Sequence, residues 1–402
     1  MIFDDLDLDP ELLESINYMG FRETTPIQEK AIPVILEGHD LIGCAQTGTG
    51  KTAAYLLPIM NSIIYYRPIH THTLVLVPTR ELAIQIDQQI QGLAYTLNIT
   101  SLAVYGGGDG KSWDQEREAL SKGADIIVAT PGRLISHLNL GYVKFDKIEV
   151  LVLDEADRML DIGFYDDIVH IISYVPKKRQ TLMFSATMPP DIRMLSKHIM
   201  NSPVEIALEM SKPVEGVIQA VYMCGDSQKI PLINSLLADN PDYNSILIFS
   251  STKKKVSEIV RGLRSKNYNV EGISSDLEQK ERENTLQRFR SRKTRVLVAT
   301  DVLSRGIDIK DINLVINFDT PSDAEDYVHR IGRTARAEAT GVAITLVNRI
   351  DIPKMQRIEK LIGYEVFKAP LPAFIAEVHD KTPSRHPSSD RPHKGGFRRR
   401  KA

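Results

Sequence analysis

The chain has 402 residues, 42% hydrophobic and 25% charged, with a net charge of -2 and two cysteines. That composition suits a globular protein with room for two α/β domains and a tail. It excludes a disulfide scaffold, and no run approaches the ~18 apolar residues of a membrane span.

The acidic start, Met1 to Glu14, lacks the basic end and apolar core of a secretion signal. Charge is uneven: from Lys381 to Ala402, eight Lys or Arg face the single acid Asp390. A basic tail on an acidic body suits a polyanion partner or mere solubility, and charge alone does not choose. Cys44 and Cys224 lie far apart and read as reduced thiols of a cytoplasmic protein.

Short runs rich in Val, Ile and Leu recur, each followed by a turn and a helix-like stretch. In chain order they predict strands at Thr73–Val77, Asp125–Ala129, Val150–Leu153, Thr181–Phe184, Ser245–Phe249, Arg295–Ala299, Leu314–Asn317 and Val342–Val347. The runs do not alternate polar with apolar, which fits parallel strands buried on both faces. A shorter apolar step, Leu41–Ile42, precedes a glycine-rich turn. The series breaks at Glu209–Gly216, a polar stretch with Pro and Gly. We expect a first lobe over 1–208, a linker over 209–217, a second lobe over 218–365 and a basic tail over 366–402. The Pro, Ser, His and Arg of that tail predict disorder. Ligands of such sheets gather at the carboxyl ends of the strands, and the unusual polar clusters fall there.

Ala45–Thr52 reads AQTGTGKT before the helix-like AAYLLPIM. Gly48 and Gly50, with Thr47 and Thr49 between and beside them, let backbone amides wrap a phosphate. Lys51 brings charge to the β and γ phosphates of ATP, Thr52 offers a hydroxyl to Mg²⁺, and the helix start adds attraction. The strict pattern begins with Gly where this chain has Ala45. Asp154-Glu155-Ala156-Asp157 directly follows the apolar VLVL. A carboxylate at a strand end beside a phosphate loop suits Mg²⁺, here Asp154, and Glu155 suits activation of the attacking water. Alone, the tetrapeptide is equally a helix cap. The buried strand before it and the phosphate loop upstream favour the functional reading.

With these motifs the chain resembles a DEAD-box RNA helicase over roughly residues 1–350. It is most similar to the bacterial RhlE-like subgroup, through its compact core and short basic tail. The resemblance implies two tandem RecA-like domains, ATP and Mg²⁺ as cofactors, and RNA as partner. It implies ATP hydrolysis coupled to lobe closure and local, non-processive duplex separation. A monomer is expected, with ribosomal or RNA-degradation complexes as settings.

The adenine-reading motif of that family matches Gly20-Phe21 and Thr25-Pro26-Ile27-Gln28, with Phe3 as the upstream aromatic. Gln28 would read the adenine edge and Phe21 would pack on the base. By themselves they read as a surface amide and a core anchor. Three clusters match the RNA-gripping motifs of the first lobe: Pro78-Thr79-Arg80-Glu81-Leu82, Gly106-Gly107 and Thr130-Pro131-Gly132-Arg133. Thr130-Pro131 is equally an ordinary helix start. Ser185-Ala186-Thr187 matches the coupling motif, with Asp157 and His329 as further coupling residues.

In the second lobe, Phe249-Ser250, Gln279 to Arg282, and Phe289-Arg290 match further motifs, with Ser250 and Arg290 expected on RNA. Ala299-Thr300-Asp301 and Arg305-Gly306-Ile307-Asp308 would touch both ligands: Thr300 and Asp301 the RNA, Gly306 and Asp308 the nucleotide. His329 to Arg336 reads HRIGRTAR, in which Arg333 and Arg336 resemble arginine fingers. Three arginines and a histidine there exceed what folding a helix needs. Contacts to sugar and phosphate imply little sequence preference, and 2′-hydroxyl contacts would separate RNA from DNA. Lys253-Lys254-Lys255 reads as a solvated face or an RNA contact.

The chain departs from the family at Ala335, at Ser274-Ser275-Asp276, at Arg292 and at Leu303-Ser304. These are expected to tune RNA grip or lobe closure without abolishing turnover. The competing readings are an RNA clamp or remodeller with little unwinding, a DNA translocase, and a small-molecule P-loop kinase. The RNA-type motifs weigh against the last two.

Overall fold

The computed structural model describes residues 1–45, 49–107, 110–208, 216–274, 277, 279–300, 312–334 and 341–376. Each predicted apolar run is a strand. In the first lobe, β1 (Leu41–Cys44), β2 (Thr73–Leu76), β3 (Ser101–Val104), β4 (Ile126–Ala129), β5 (Val150–Leu153), β6 (Gln180–Ser185) and β7 (Val204–Ala207) form one parallel sheet, in the order β3-β4-β2-β5-β6-β1-β7. Alternate residues of a strand point to opposite faces. Val150 and Val152 therefore join one core cluster, and Leu151 and Leu153 join the other.

The second lobe holds β8 (Val217–Met223), β9 (Ile246–Ser250), β10 (Val270–Ile273), β11 (Val296–Thr300), β12 (Leu314–Asn317), β13 (Gly341–Val347) and β14 (Phe367–Ala369), also parallel. Their order is β10-β11-β9-β12-β13-β8-β14. Counted from the start of each lobe, the two orders are identical. The lobes share one topology, which the sequence suggested without proving.

The strands that no apolar run marked are β3, β7, β8, β10 and β14. Four of them are the edges of the two sheets, and β8 lies beside an edge and is half open to solvent. An edge strand with a solvated face carries mixed residues, so a search for apolar runs passes over it.

Two boundaries move. β8 begins at Val217, so the expected linker over 209–217 stops short of that residue, and 209–215 lie outside the described residues. The stretch expected as a disordered tail from 366 instead opens with β14, paired to β8, and a short helix Ala373–Ala376. Ile375 is fully buried in the core of the second lobe, and its carbonyl accepts the Gln228 amide at 3.0 Å. Ladder hydrogen bonds and one buried side chain outweigh a composition that reads as disorder. Residues 377–402 lie outside the described residues.

Strand order also sorts the motifs. The phosphate loop, the acidic tetrad and Ser185-Ala186-Thr187 follow β1, β5 and β6, on one half of the first sheet. The clusters at Pro78, Gly106 and Thr130 follow β2, β3 and β4, on the other half.

Candidate functional site

Helix Lys51–Tyr66 starts at the carboxyl end of β1, with Gly50 as its N-cap at φ +89°. A side chain on Gly50 would meet the Gln28 amide nitrogen at 2.4 Å, so glycine is required twice, for backbone conformation and for space. Gln28 is nearly enclosed. Its amide nitrogen donates to the Gly50 carbonyl at 3.1 Å, and its oxygen accepts the Thr25 N–H at 2.9 Å. The expected adenine reader is thus tied directly to the phosphate loop, with one amide hydrogen and one lone pair left over. Thr25 Oγ1 is buried against the same loop with no hydrogen-bond partner among the described residues. Phe21 is half-buried, 6.4 Å from the Phe3 ring. Thr47 and Gly48 lie outside the described residues.

Lys51 is buried and donates to the Ala45 carbonyl at 2.8 Å, folded onto its own loop. Asp154, at the end of β5, is 3% exposed. Its carboxylate accepts the Glu155 N–H and the Tyr55 hydroxyl, both at 2.9 Å. Burial pushes Asp154 up to about 6; Lys51 opposes the rise and Glu155 adds to it. A buried carboxylate held this way favours a cation. Burial drives the Tyr55 phenol well above its usual value, with Asp154 adding to it. The sequence reading missed Tyr55, which hid in an apolar run. Its position, four residues after Lys51 on one helix face, was the available signal.

Glu155 adopts a left-handed backbone, φ +51°, as N-cap of helix Ala156–Asp161. Such strain in a non-glycine residue gathers at functional sites. Its carboxylate lies 3.4 Å from buried Arg158. Asp157 links the tetrad to β6. Its Oδ2 accepts Ala186 N–H and Thr187 N–H at 3.1 Å and the Thr187 hydroxyl at 3.2 Å, while its own N–H donates to Ser185 Oγ at 3.3 Å. Asp157, Ser185 and Thr187 are therefore one unit. His329 is half-buried in helix Ala324–Ile331 of the second lobe.

On the other half of the sheet, Thr79 follows Pro78 and caps helix Arg80–Leu93 by accepting Leu82 N–H at 3.3 Å. Gly106-Gly107 wraps the Arg80 guanidinium so closely that a side chain on Gly107, at φ +91°, would meet it at 2.1 Å. Burial lowers the Arg80 pKa and nearby Arg282 lowers it further. Thr130 precedes helix Pro131–Leu138 without a side-chain cap, so the first N–H groups of that helix, Gly132 and Arg133 among them, donate no hydrogen bond to its hydroxyl.

The second lobe reaches this face through Arg282, 3.2 Å from Glu81. Arg282 lay inside a recognised motif but was not expected as a contact, and neither was Glu81. Arg290, expected on RNA, lies about 12 Å further along the helix Gln279–Arg290 and is exposed. Ser250 was also expected on RNA, but it is fully enclosed and donates to Asp319 at 3.2 Å. Arg330 was read as surplus to folding. It is 3% exposed and donates to the Asn317 side chain at 3.0 Å and the Asp319 carbonyl at 2.9 Å, joining its helix to β12. Thr300 ends β11 and Arg333 is half-buried after helix Ala324–Ile331. Asp301, Gly306, Asp308 and Arg336 lie outside the described residues, as do the departures at Ser275, Asp276, Leu303, Ser304 and Ala335.

Comparison with known proteins gives the same picture. A DEAD/DEAH box helicase family model matches residues 25–195, and a helicase conserved C-terminal domain model matches residues 228–338. The chain is 44% identical over 359 residues to the ATP-dependent RNA helicase CshA of Listeria monocytogenes, which spans 89% of this chain and 68% of that protein. The structure of S. cerevisiae Dbp5 bound to RNA and ADP BeF3 matches with a TM-score of 0.82 at 32% identity, covering 92% of this chain and 95% of that one. Both lobes are RecA-like. A DEAD box protein from Methanococcus jannaschii, at 35% identity and covering 92% and 99%, gives a TM-score of 0.53.

Proposed function

Because the chain belongs to the DEAD/DEAH box helicase family, we propose that it is an RNA-stimulated ATPase that closes its two lobes on RNA and separates duplexes locally. The observation that carries this reading is the cleft itself. Arg282 of the second lobe lies 3.2 Å from Glu81 beside the first-lobe clusters, and Lys51, Asp154 and Glu155 are buried at the strand ends of the same sheet, in a chain whose fold matches an RNA-bound relative with a TM-score of 0.82.

Lys51 leaves the Ala45 carbonyl for the β and γ phosphates, and Thr49, Gly50 and the start of helix Lys51–Tyr66 hold them. Thr52 and Asp154 would hold Mg²⁺, which when bound neutralises phosphate charge. Among the described residues no three His, Cys, Asp or Glu side chains form a closed metal cage, as suits an ion held mainly by water and phosphates. Glu155 orients and deprotonates the attacking water. Arg333 and Arg336 stabilise the transferring phosphoryl group. Phe21, Thr25 and Gln28 seat the base, with Gly306 and Asp308 at the nucleotide from the second lobe. Asp157, Ser185, Thr187 and His329 couple hydrolysis to lobe position.

RNA lies across Pro78 to Arg80, Gly106-Gly107 and Thr130 to Arg133, with Thr300 and Asp301 opposite. Arg80 and Arg282 repel one another until a phosphate enters between them, so RNA and closure favour each other. Neither lobe alone completes the site, so ATP and RNA bind cooperatively.

The finer placement in an RhlE-like subgroup rests on the compact core and short tail alone, while the relative matched above carries the name CshA. We further propose a cytoplasmic monomer working in ribosomal or RNA-degradation complexes. No helix among the described residues is long and apolar enough to cross a membrane.

The test is the steady-state ATPase rate without nucleic acid, with single-stranded RNA and with matched DNA. Stimulation by RNA alone is expected; equal stimulation by DNA, or none, rejects the RNA assignments. Glu155→Gln should still bind ATP and RNA but hydrolyse about 10² to 10⁴ times more slowly, and normal turnover removes Glu155 from its role.

A further inference from the structure

The only tryptophan of the chain, Trp113, lies in helix Gly110–Lys122, outside every motif used above. It is the centre of a stack. The Arg133 guanidinium carbon is 4.2 Å from its ring centre, and the His137 imidazole stacks on it at 4.0 Å and 17°. Glu116, three residues on and nearly enclosed, ties the same groups together. Its Oε2 accepts Arg133 Nε at 2.7 Å and lies 2.7 Å from His137 Nε2. The other nitrogen of the fully buried His137 hydrogen-bonds the Tyr142 hydroxyl.

A cation in the first turn of a helix opposes the helix dipole. Arg133 stands there, in helix Pro131–Leu138, and its long side chain would otherwise lose rotamer freedom on meeting a ligand. Here that freedom is already removed. Nε is taken by Glu116, the plane is fixed by Trp113, and Nη2 is enclosed with no partner among the described residues. A guanidinium so enclosed is a brace more than a free contact.

We propose that Trp113, Glu116 and His137 are positioning residues for RNA. They lock Arg133, and through it they hold the Thr130–Gly132 backbone and the open helix N–H groups where an RNA phosphate binds. This rests on the reading of residues 130–133 as an RNA grip. Preorganisation of this kind raises affinity without touching the ligand.

The experiment measures, in the full chain, the Kd for single-stranded RNA with a non-hydrolysable ATP analogue, and the RNA KM and kcat of the ATPase. Trp113→Ala should raise the RNA Kd and KM about three- to tenfold. Its RNA-free rate and its kcat at saturating RNA should stay within about twofold, the split expected when only RNA binding is touched. Trp113→Phe keeps a ring and should recover most of the affinity, while Glu116→Gln should weaken RNA binding in the same direction. In an Arg133→Ala background, Trp113→Ala should add nothing. A Trp113→Ala chain with unchanged RNA Kd, or losses that add in full to those of Arg133→Ala, overturns the proposal. Where Trp113→Ala fails to fold, an unchanged Kd in Glu116→Gln does so. An Arg133→Ala chain with unchanged RNA Kd instead overturns the grip on which the proposal rests.

Discussion

The two lobes are built on one strand order, yet they treat carboxylates at corresponding strand ends in opposite ways. Asp154 comes directly after β5, and Asp319 comes one residue later after β12, the fifth strand of each lobe in chain order. Each meets a lysine from the helix after the first strand, Lys51 in one lobe and Lys229 of helix Asp226–Asp239 in the other. In the first lobe the carboxylate is short of donors, and burial carries it up to about 6. In the second, burial is overcome. Lys255 donates to Asp319 at 2.6 Å and Ser251 adds its N–H and hydroxyl at 2.8 Å, so Asp319 falls to about 2. Lys229 is fully buried, 3.7 Å from Asp319 and 3.1 Å from Asp226, and it donates to the Phe318 carbonyl. The second lobe thus surrounds its strand-end carboxylate with donors, where the first lobe sets fewer against Asp154. What separates a reactive carboxylate from a structural one here is the number of donors facing it.

The largest effect that would break this contrast is on the lysines. Lys51→Ala should lower the ATPase rate about a hundredfold or more. Lys229→Met should leave the rate of the folded chain nearly intact while lowering the stability of the second lobe by about 3 kcal/mol, read by denaturant unfolding. A loss of catalysis without loss of stability in Lys229→Met would place that lobe's lysine in the chemistry.

The aspartates should then differ in sign. Asp154 has a raised pKa, so its ionised form weighs against the fold above about pH 6. Asp154→Asn should therefore stabilise the nucleotide-free chain at pH 8 by about 2 kcal/mol while removing turnover. Asp319 has a depressed pKa, so its contribution is present above the unfolded value and is lost as pH falls through about 2. Asp319→Asn should destabilise the chain at pH 7 by about 1 to 2 kcal/mol. Shifts of one sign in both variants would end the comparison.

A pH series sharpens it. Carboxylate is the form that binds a cation, so the Mg²⁺ requirement of the ATPase should rise as pH falls through about 6, where Asp154 takes up its proton. A flat Mg²⁺ dependence from pH 8 to about 5.5 would count against Asp154 as the ligand. The smallest effect concerns the basic end. Removing residues 377–402, and so sparing the buried Ile375, should weaken RNA binding mainly at low salt. Equal affinities across a salt series would leave that segment no part in RNA binding.

The sequence by itself determined the class of fold and eight of the ten interior strands, and it marked the glycine-rich loop before Lys51 and the acidic stretch from Asp154 to Asp157. It could do so because these are local. Apolar runs mark strands buried on both faces, and a loop that wraps phosphate must carry its glycines and lysine in a row. Edge strands stayed hidden because half-solvated strands lack such runs. Tertiary structure alone decided that Arg282 meets Glu81 across the lobes, and that Ser250 and Arg330 bond to groups within the second lobe. It alone brought Tyr55 to Asp154 across 99 positions of chain, and Trp113 to Arg133 and His137. Those outcomes depend on burial and on partners distant in sequence, and the same side chain serves structure or ligand according to which groups the fold sets against it.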